Sequence, residues 1–159
     1  MPKEGMDRAT YREKKFGGPQ VVAEMDRRMT AVGAEEGIPF ALDKIRKSPN
    51  TFDAHRLAWL AEQQGDAQEK VVDALFRAFF VEGRDIGDRA VLTEIGTAAG
   101  LEGVAEFLKS DRGAKEVRDE ERKGRELGVD AVPTFIIGGK YLVSGAQSPE
   151  VFLEAFRSL

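Results

Sequence analysis

The stretch Ala131-Val132-Pro133-Thr134-Phe135-Ile136-Ile137-Gly138-Gly139-Lys140-Tyr141-Leu142-Val143 constrains the fold of this chain more than any other. A proline opens an apolar run, two glycines interrupt it, and a second short run answers. That pattern predicts a β-hairpin, because tight hairpin turns need positive φ at the residues that glycine supplies. Pro133 stands where a strand tolerates proline, at its first residue. Helical patterning on either side gives the order helix, Val-Pro, strand, Gly-Gly, strand, helix. No other strand is legible. A lone hairpin is marginal in water, and Thr134 to Ile137 is too apolar for a comfortable edge. The sequence therefore implies further β structure, supplied by another chain or by residues not present in it.

Ahead of the hairpin the chain reads as helices separated by caps. Asp7 is placed to cap a short helix through Lys15, ended by Gly17 and Gly18, and Pro19 takes the first position of a second helix from Gln20 to Glu36. Gly37 to Pro49 reads as an extended connector. Asn50 or Thr51 caps a helix stopping at Gly65, with Asp53 adding favourable charge in its first turn, and Asp66 caps the next. In that helix Val71, Val72, Leu75, Phe76, Phe79 and Phe80 form one broad face expected to be buried. Further helices are expected from Asp88 to Gly100, from Glu102 to Lys109, and from Ser110 or Asp111 to Leu127. The last of these is highly charged and offers i,i+4 pairs such as Glu121 with Arg125. Ser148-Pro149 opens a closing helix.

The 159 residues suffice for one compact domain, or for a small domain with a large insertion. A formal net charge of -4 argues against nucleic acid or an acidic membrane as partner. The amino terminus lacks an apolar h-region and no run reaches the length of a membrane span, so neither a secretory signal nor a membrane anchor is expected, and cytoplasmic residence is. The sequence contains no cysteine, which removes disulfides, thiolate metal sites and cysteine-based catalysis from the reach of these residues. No metal site and no cofactor are expected. Glu82, Asp85 and Asp88 lack the ligand spacing of a calcium loop and read as helix caps.

The segments MPKEGMDR and YREKKFG, then SPNTFDAHRLAWLA, then ALFRAFFVEGRDIGD, then LGVDAVPTFIIGGKYLVSGAQSPEVF resemble, in this order, the cytoplasmic FrnE-like branch of the DsbA family of thiol-disulfide oxidoreductases. Similar patterns occur in 2-hydroxychromene-2-carboxylate isomerases and kappa-class glutathione transferases. The resemblance implies a mainly α protein with a small β part (α/β): an all-helical insertion over residues 1–110, then the C-terminal half of a thioredoxin-like fold over 111–159. In that family a strand, a Cys-x-x-Cys helix and a second strand come first. Here that unit and both redox cysteines are absent, through an internal start, a split form or a true loss.

What the resemblance implies for the site follows from the same alignment. It makes the Val132-Pro133 bond cis and sets the backbone at Ala131 and Val132 to pair with a peptide or thiol substrate, with no catalytic residue in this chain. Gln147, in the turn before the last helix, is a candidate for a substrate carboxylate, since free backbone N–H groups at a helix start favour one. His55, the only histidine, is a candidate general base because its ordinary pKa lies near neutrality. Phe76, Phe79 and Phe80 with Trp59 are expected in the core rather than in a groove. The activity implied is dithiol–disulfide exchange. The alternatives are a non-catalytic binding or assembly module and a glutathione-dependent isomerase or transferase. The unpaired strand Thr134 to Ile137 leads to the expectation of a homodimer through that edge.

Overall fold

The computed structural model describes every residue except Asp66, so the helix cap expected there lies outside the described residues. The chain divides into two compact units, Met1–Val117 and Arg118–Leu159. It is mostly helical, and among the described residues its four strands form two separate antiparallel pairs.

The first unit opens with β1 (Met6–Asp7), α1 (Arg8–Phe16) and α2 (Pro19–Glu35), followed by β2 (Lys47–Ser48). Asp7 caps α1 by accepting from the Thr10 N–H at 2.9 Å, and Gly17 ends it in the left-handed region. Residues 37–49 are more ordered than a connector. Leu42–Lys44 makes a single 3-10 turn whose Leu42 is buried along with Ile45, and Lys47–Ser48 pairs with Met6–Asp7. Lys47 then donates to Asp85 at 2.7 Å, fastening that pair to a distant loop.

Helices α3 (Phe52–Gln63), α4 (Gln68–Phe76), α5 (Arg89–Ala98) and α6 (Val104–Lys109) enclose the main core, which centres on Leu57, Leu60, Val71, Leu92, Phe107 and Leu108. Asn50 takes the Phe52 N–H and Asp88 takes the Ala90 N–H, as helix starts require. Gly96 lets α5 approach closely: a Cβ there would lie 2.9 Å from Leu57 and 3.0 Å from Val104.

The buried face of α4 differs from the expected one. Val71, Leu75 and Ala78 point inward, while Phe76 is 59% exposed and Phe79 and Phe80 are half-buried. Phe76 follows Leu75 by one residue and so turns about 100° away from the core. From Arg77 to Val81 the helix widens into a π turn, closed by the Glu82 N–H on the Arg77 carbonyl, which shifts the phase of the aromatic positions. Phe80 instead meets Phe40 edge-on at 5.7 Å, and Trp59 stacks on Phe107 at 6.2 Å.

Among the described residues, one charged side chain is buried in this unit. Arg56 on α3 is 2% exposed. Its guanidinium donates to Asp53 at 2.6 Å, to the carbonyls of Ser110 at 2.6 Å, Phe107 at 3.1 Å and Arg112 at 2.8 Å, and lies 4.9 Å over the Phe107 ring. It thereby satisfies the Ser110 and Arg112 carbonyls beyond the C-terminus of α6 and adds a donor to the Phe107 carbonyl, which also takes the Ser110 N–H and hydroxyl. Asp53 also takes Arg89 of α5 at 2.8 Å.

This network gives the fold an acid limb. Burial pushes the Asp53 carboxyl up, but hydrogen bonds and charge from Arg89 and Arg56 outweigh it and hold it below its ordinary 3.8. Asp7, through the Thr10 N–H and hydroxyl, and Glu150, through the Ser148 hydroxyl, are lowered as well. A carboxyl lowered on folding stabilises the native state above its unfolded pKa, and that contribution disappears as pH falls through the folded value. The unfolding free energy is therefore expected to be flat near neutrality and to drop below about pH 4. Urea titrations across this range check it. Asp53→Asn should be less stable at neutral pH and show a shallower acid limb; an unchanged limb would remove Asp53 from the account.

The second unit continues the charged helix α7 (Ala114–Glu126), which begins in the first unit, into β3 (Thr134–Ile137), β4 (Tyr141–Ser144) and α8 (Pro149–Arg157). Glu121 and Arg125 pair on α7. Gly138 and Gly139, at φ 57° and 68°, make the tight turn, closed by the Lys140 N–H on the Ile137 carbonyl. Lys140 is then an extra residue, and the ladder resumes with Ile137 opposite Tyr141. One face of the hairpin packs on α8: Ile137, Val143 and Ala155 form a small core with Phe152, and Phe135 meets Phe152 edge-on at 4.9 Å. The opposite face leaves Ile136 and Leu142 exposed.

Candidate functional site

The site is the strand edge that begins at Val132. Pro133 has no N–H, and its carbonyl accepts from the Gly145 N–H at 2.8 Å. That bond fixes the parity of the ladder. In an antiparallel pair, residues alternate between hydrogen-bonded and non-hydrogen-bonded positions. With Thr134 opposite Ser144 and Phe135 opposite Val143, the bonded pairs are Pro133–Gly145, Phe135–Val143 and Ile137–Tyr141. The backbone groups of Thr134 and Ile136 therefore point away from β4, and Val132, two residues earlier, continues the row.

Val132 is 87% exposed, and its N–H and carbonyl make no hydrogen bond among the described residues. The Val132–Pro133 bond is cis. The Thr134 hydroxyl donates to the Ala131 carbonyl at 2.7 Å, holding the loop just ahead of the strand. The result is an extended row at Val132, Thr134 and Ile136 open to a partner strand.

The other edge of the hairpin is partly closed. By the same parity Leu142 and Ser144 point outward on β4, but the Gln147 amide donates back to the Ser144 carbonyl at 2.8 Å. Gln147 is thus turned onto its own strand rather than toward the start of α8, and Glu150 already supplies a carboxylate in that first turn. Ala131, Val132, Pro133 and Gln147 all lie around this end of the hairpin. His55 is elsewhere in the chain, exposed on α3 of the Met1–Val117 unit.

The sequence reading expected an unpaired edge on Thr134 to Ile137, but which backbone groups face it depends on ladder parity, which the Gly145–Pro133 bond fixes. Arg56 escaped that reading. It carried one signal, a position four residues before Leu60 and so on the same helix face as a core residue.

A helix, a Val-Pro entry, a β-hairpin and a covering helix define a thioredoxin-type C-terminal half. A sequence profile for the DSBA-like thioredoxin domain matches residues 1–157, and the chain belongs to that family. Over 86 residues it is 36% identical to the uncharacterized protein YwbO of Bacillus subtilis (strain 168), a match covering 51% of this chain and 42% of that relative. The chain thus spans less than half the length of the curated relative it matches. Among the described residues no helix is long and apolar enough to cross a membrane.

Proposed function

We propose that this chain is the substrate-holding part of a DsbA-type, FrnE-like thiol–disulfide exchange protein, and that an extended peptide or thiol substrate adds to the edge at Val132. The observation that carries this reading is the row of outward backbone groups at Val132, Thr134 and Ile136 in a chain of the DSBA-like family. Main-chain pairing to an exposed edge is a general mode of peptide recognition. Exchange itself needs a thiolate attacking a disulfide sulfur, and the 159 residues hold no cysteine, so the thiolate must come from other residues. The remaining β3 edge is closed by a second copy of the chain.

Amide NMR tests the reading. Titrating an extended cysteine-containing peptide should shift the Ala131 and Val132 resonances more than those of β4, while the chain alone shows no insulin reduction. Shifts confined to other surfaces would overturn the assignment, and clear turnover would overturn the need for an external thiolate. The lack of cysteine also supports a second reading, a non-catalytic binding module. Translating the DNA upstream of Met1 separates the two: an in-frame Cys-Pro-x-Cys favours the exchange protein, and a nearby stop codon favours the module.

A further inference from the structure

The Met1–Val117 unit leaves one face of α2 bare. Val21, Met25, Met29 and Val32 are 46%, 38%, 51% and 49% exposed. Spacings of four, four and three residues set them in one stripe over three helical turns. The inward side of α2 is different: Gly33 lies against the Phe40 ring, and Asp26 takes Arg12 at 2.5 Å.

The ends of α2 lack the charges a lone helix favours, and its last turn carries the wrong sign. Its first turn has no acidic residue and Gly18 provides no side-chain cap, while its last turn has no basic residue and closes on Glu35, with Glu36 next. Free N–H groups at a helix start favour carboxylates, and a helix end disfavours them.

We propose that α2 docks antiparallel against α2 of a second copy of this chain. With the two-fold axis beside Arg27, Val21 and Val22 of one helix meet Val32 of the other, and Met25 meets Met29. The same register brings Glu35 and Glu36 beside Gly18 and Pro19 of the partner helix. Each copy thus supplies the carboxylates that the other's uncapped start lacks, and the two helix dipoles run antiparallel. Arg28 meets its own copy near the axis, beside the Glu24–Arg27 ion pair of each helix, whose carboxylate tempers the repulsion. A contact of three helical turns falls below the ~1,200 Å² of stable interfaces, so the association is weak and concentration-dependent. This surface belongs to a different unit from the β3 edge and does not rest on the proposed function.

A chain without cysteine makes engineered thiols clean reporters. Full-length Val21→Cys and Val32→Cys are mixed in equal amounts and mildly oxidised, at concentrations up to about 100 μM to suit a small interface. The expected result is a covalent dimer joining one variant to the other, with little product from either alone. Adding Met29→Glu to both should lower the yield roughly tenfold, with an unchanged circular dichroism melt because Met29 is exposed. No cross-link in the mixture, equal yield from Val21→Cys alone, or a yield indifferent to Met29→Glu would each overturn the proposal.

Discussion

Replacing Arg56 with alanine is expected to remove about 3 to 5 kcal/mol from the stability of the Met1–Val117 unit. The part-buried carbonyls of Ser110 and Arg112 lose their side-chain donor, and Asp53 loses one of its two cationic partners. Unsatisfied buried acceptors cost about 1 to 3 kcal/mol each, and the guanidinium's packing over Phe107 goes as well. Against a typical domain stability of about 5 to 15 kcal/mol this is a large share. Arg56→Lys should recover only part of the loss. An ammonium keeps the charge, but it lacks the planar fork that reaches Asp53 and three carbonyls together. Trp59, the only tryptophan and stacked on Phe107, reports the transition in urea directly. A loss below about 1 kcal/mol for Arg56→Ala would mean that water satisfies these carbonyls and that the network contributes little.

Local chemistry explains which parts of the fold were legible. Asp7, Gly17, Pro19, Asp88 and Pro149 mark helix ends because caps act within a few residues of themselves. The hairpin was legible for the same reason, since Gly138 and Gly139 fix the turn without reference to anything distant. Features set by residues far apart were not. The pairing of Met6–Asp7 with Lys47–Ser48 is two residues long, too short to leave an alternating pattern. The exposure of Phe76 depends on which side of α4 meets α3 and α5, and on the π turn that follows. The extra residue Lys140 shifts β4 by one position, which is invisible in composition but decides which β4 groups face outward. In the candidate site, Ala131, Val132 and Pro133 stood out because the proline and the apolar run are contiguous. The use of Gln147 to close the β4 edge did not, because it depends on that parity.

The same parity predicts opposite outcomes for proline at two adjacent positions of β3. At Ile136 the N–H points away from β4, so Ile136→Pro removes a donor that the hairpin does not use, and edge strands tolerate proline there. At Phe135 the N–H belongs to a bonded pair with Val143, so Phe135→Pro breaks the ladder and also removes the ring that packs on Phe152. If a second copy closes the β3 edge, the unmodified chain should be a dimer by light scattering at low micromolar concentration. Ile136→Pro should then be a folded monomer with the hairpin's amide pattern intact, and Phe135→Pro should lose the hairpin itself. The effect on association is expected to be nearly complete. In a dimer of the variant, the partner's Thr134 and Ile136 groups would lie unpaired inside the interface, at about 1 to 3 kcal/mol each, and a proline in the middle of so short an edge leaves no alternative register. Loss of side-chain contact alone has its own control, Ile136→Thr, which keeps the N–H and the β-branched shape and should remain dimeric. A monomeric parent chain that melts cooperatively would show that the edge needs no partner, and a dimeric Ile136→Pro would place the interface elsewhere.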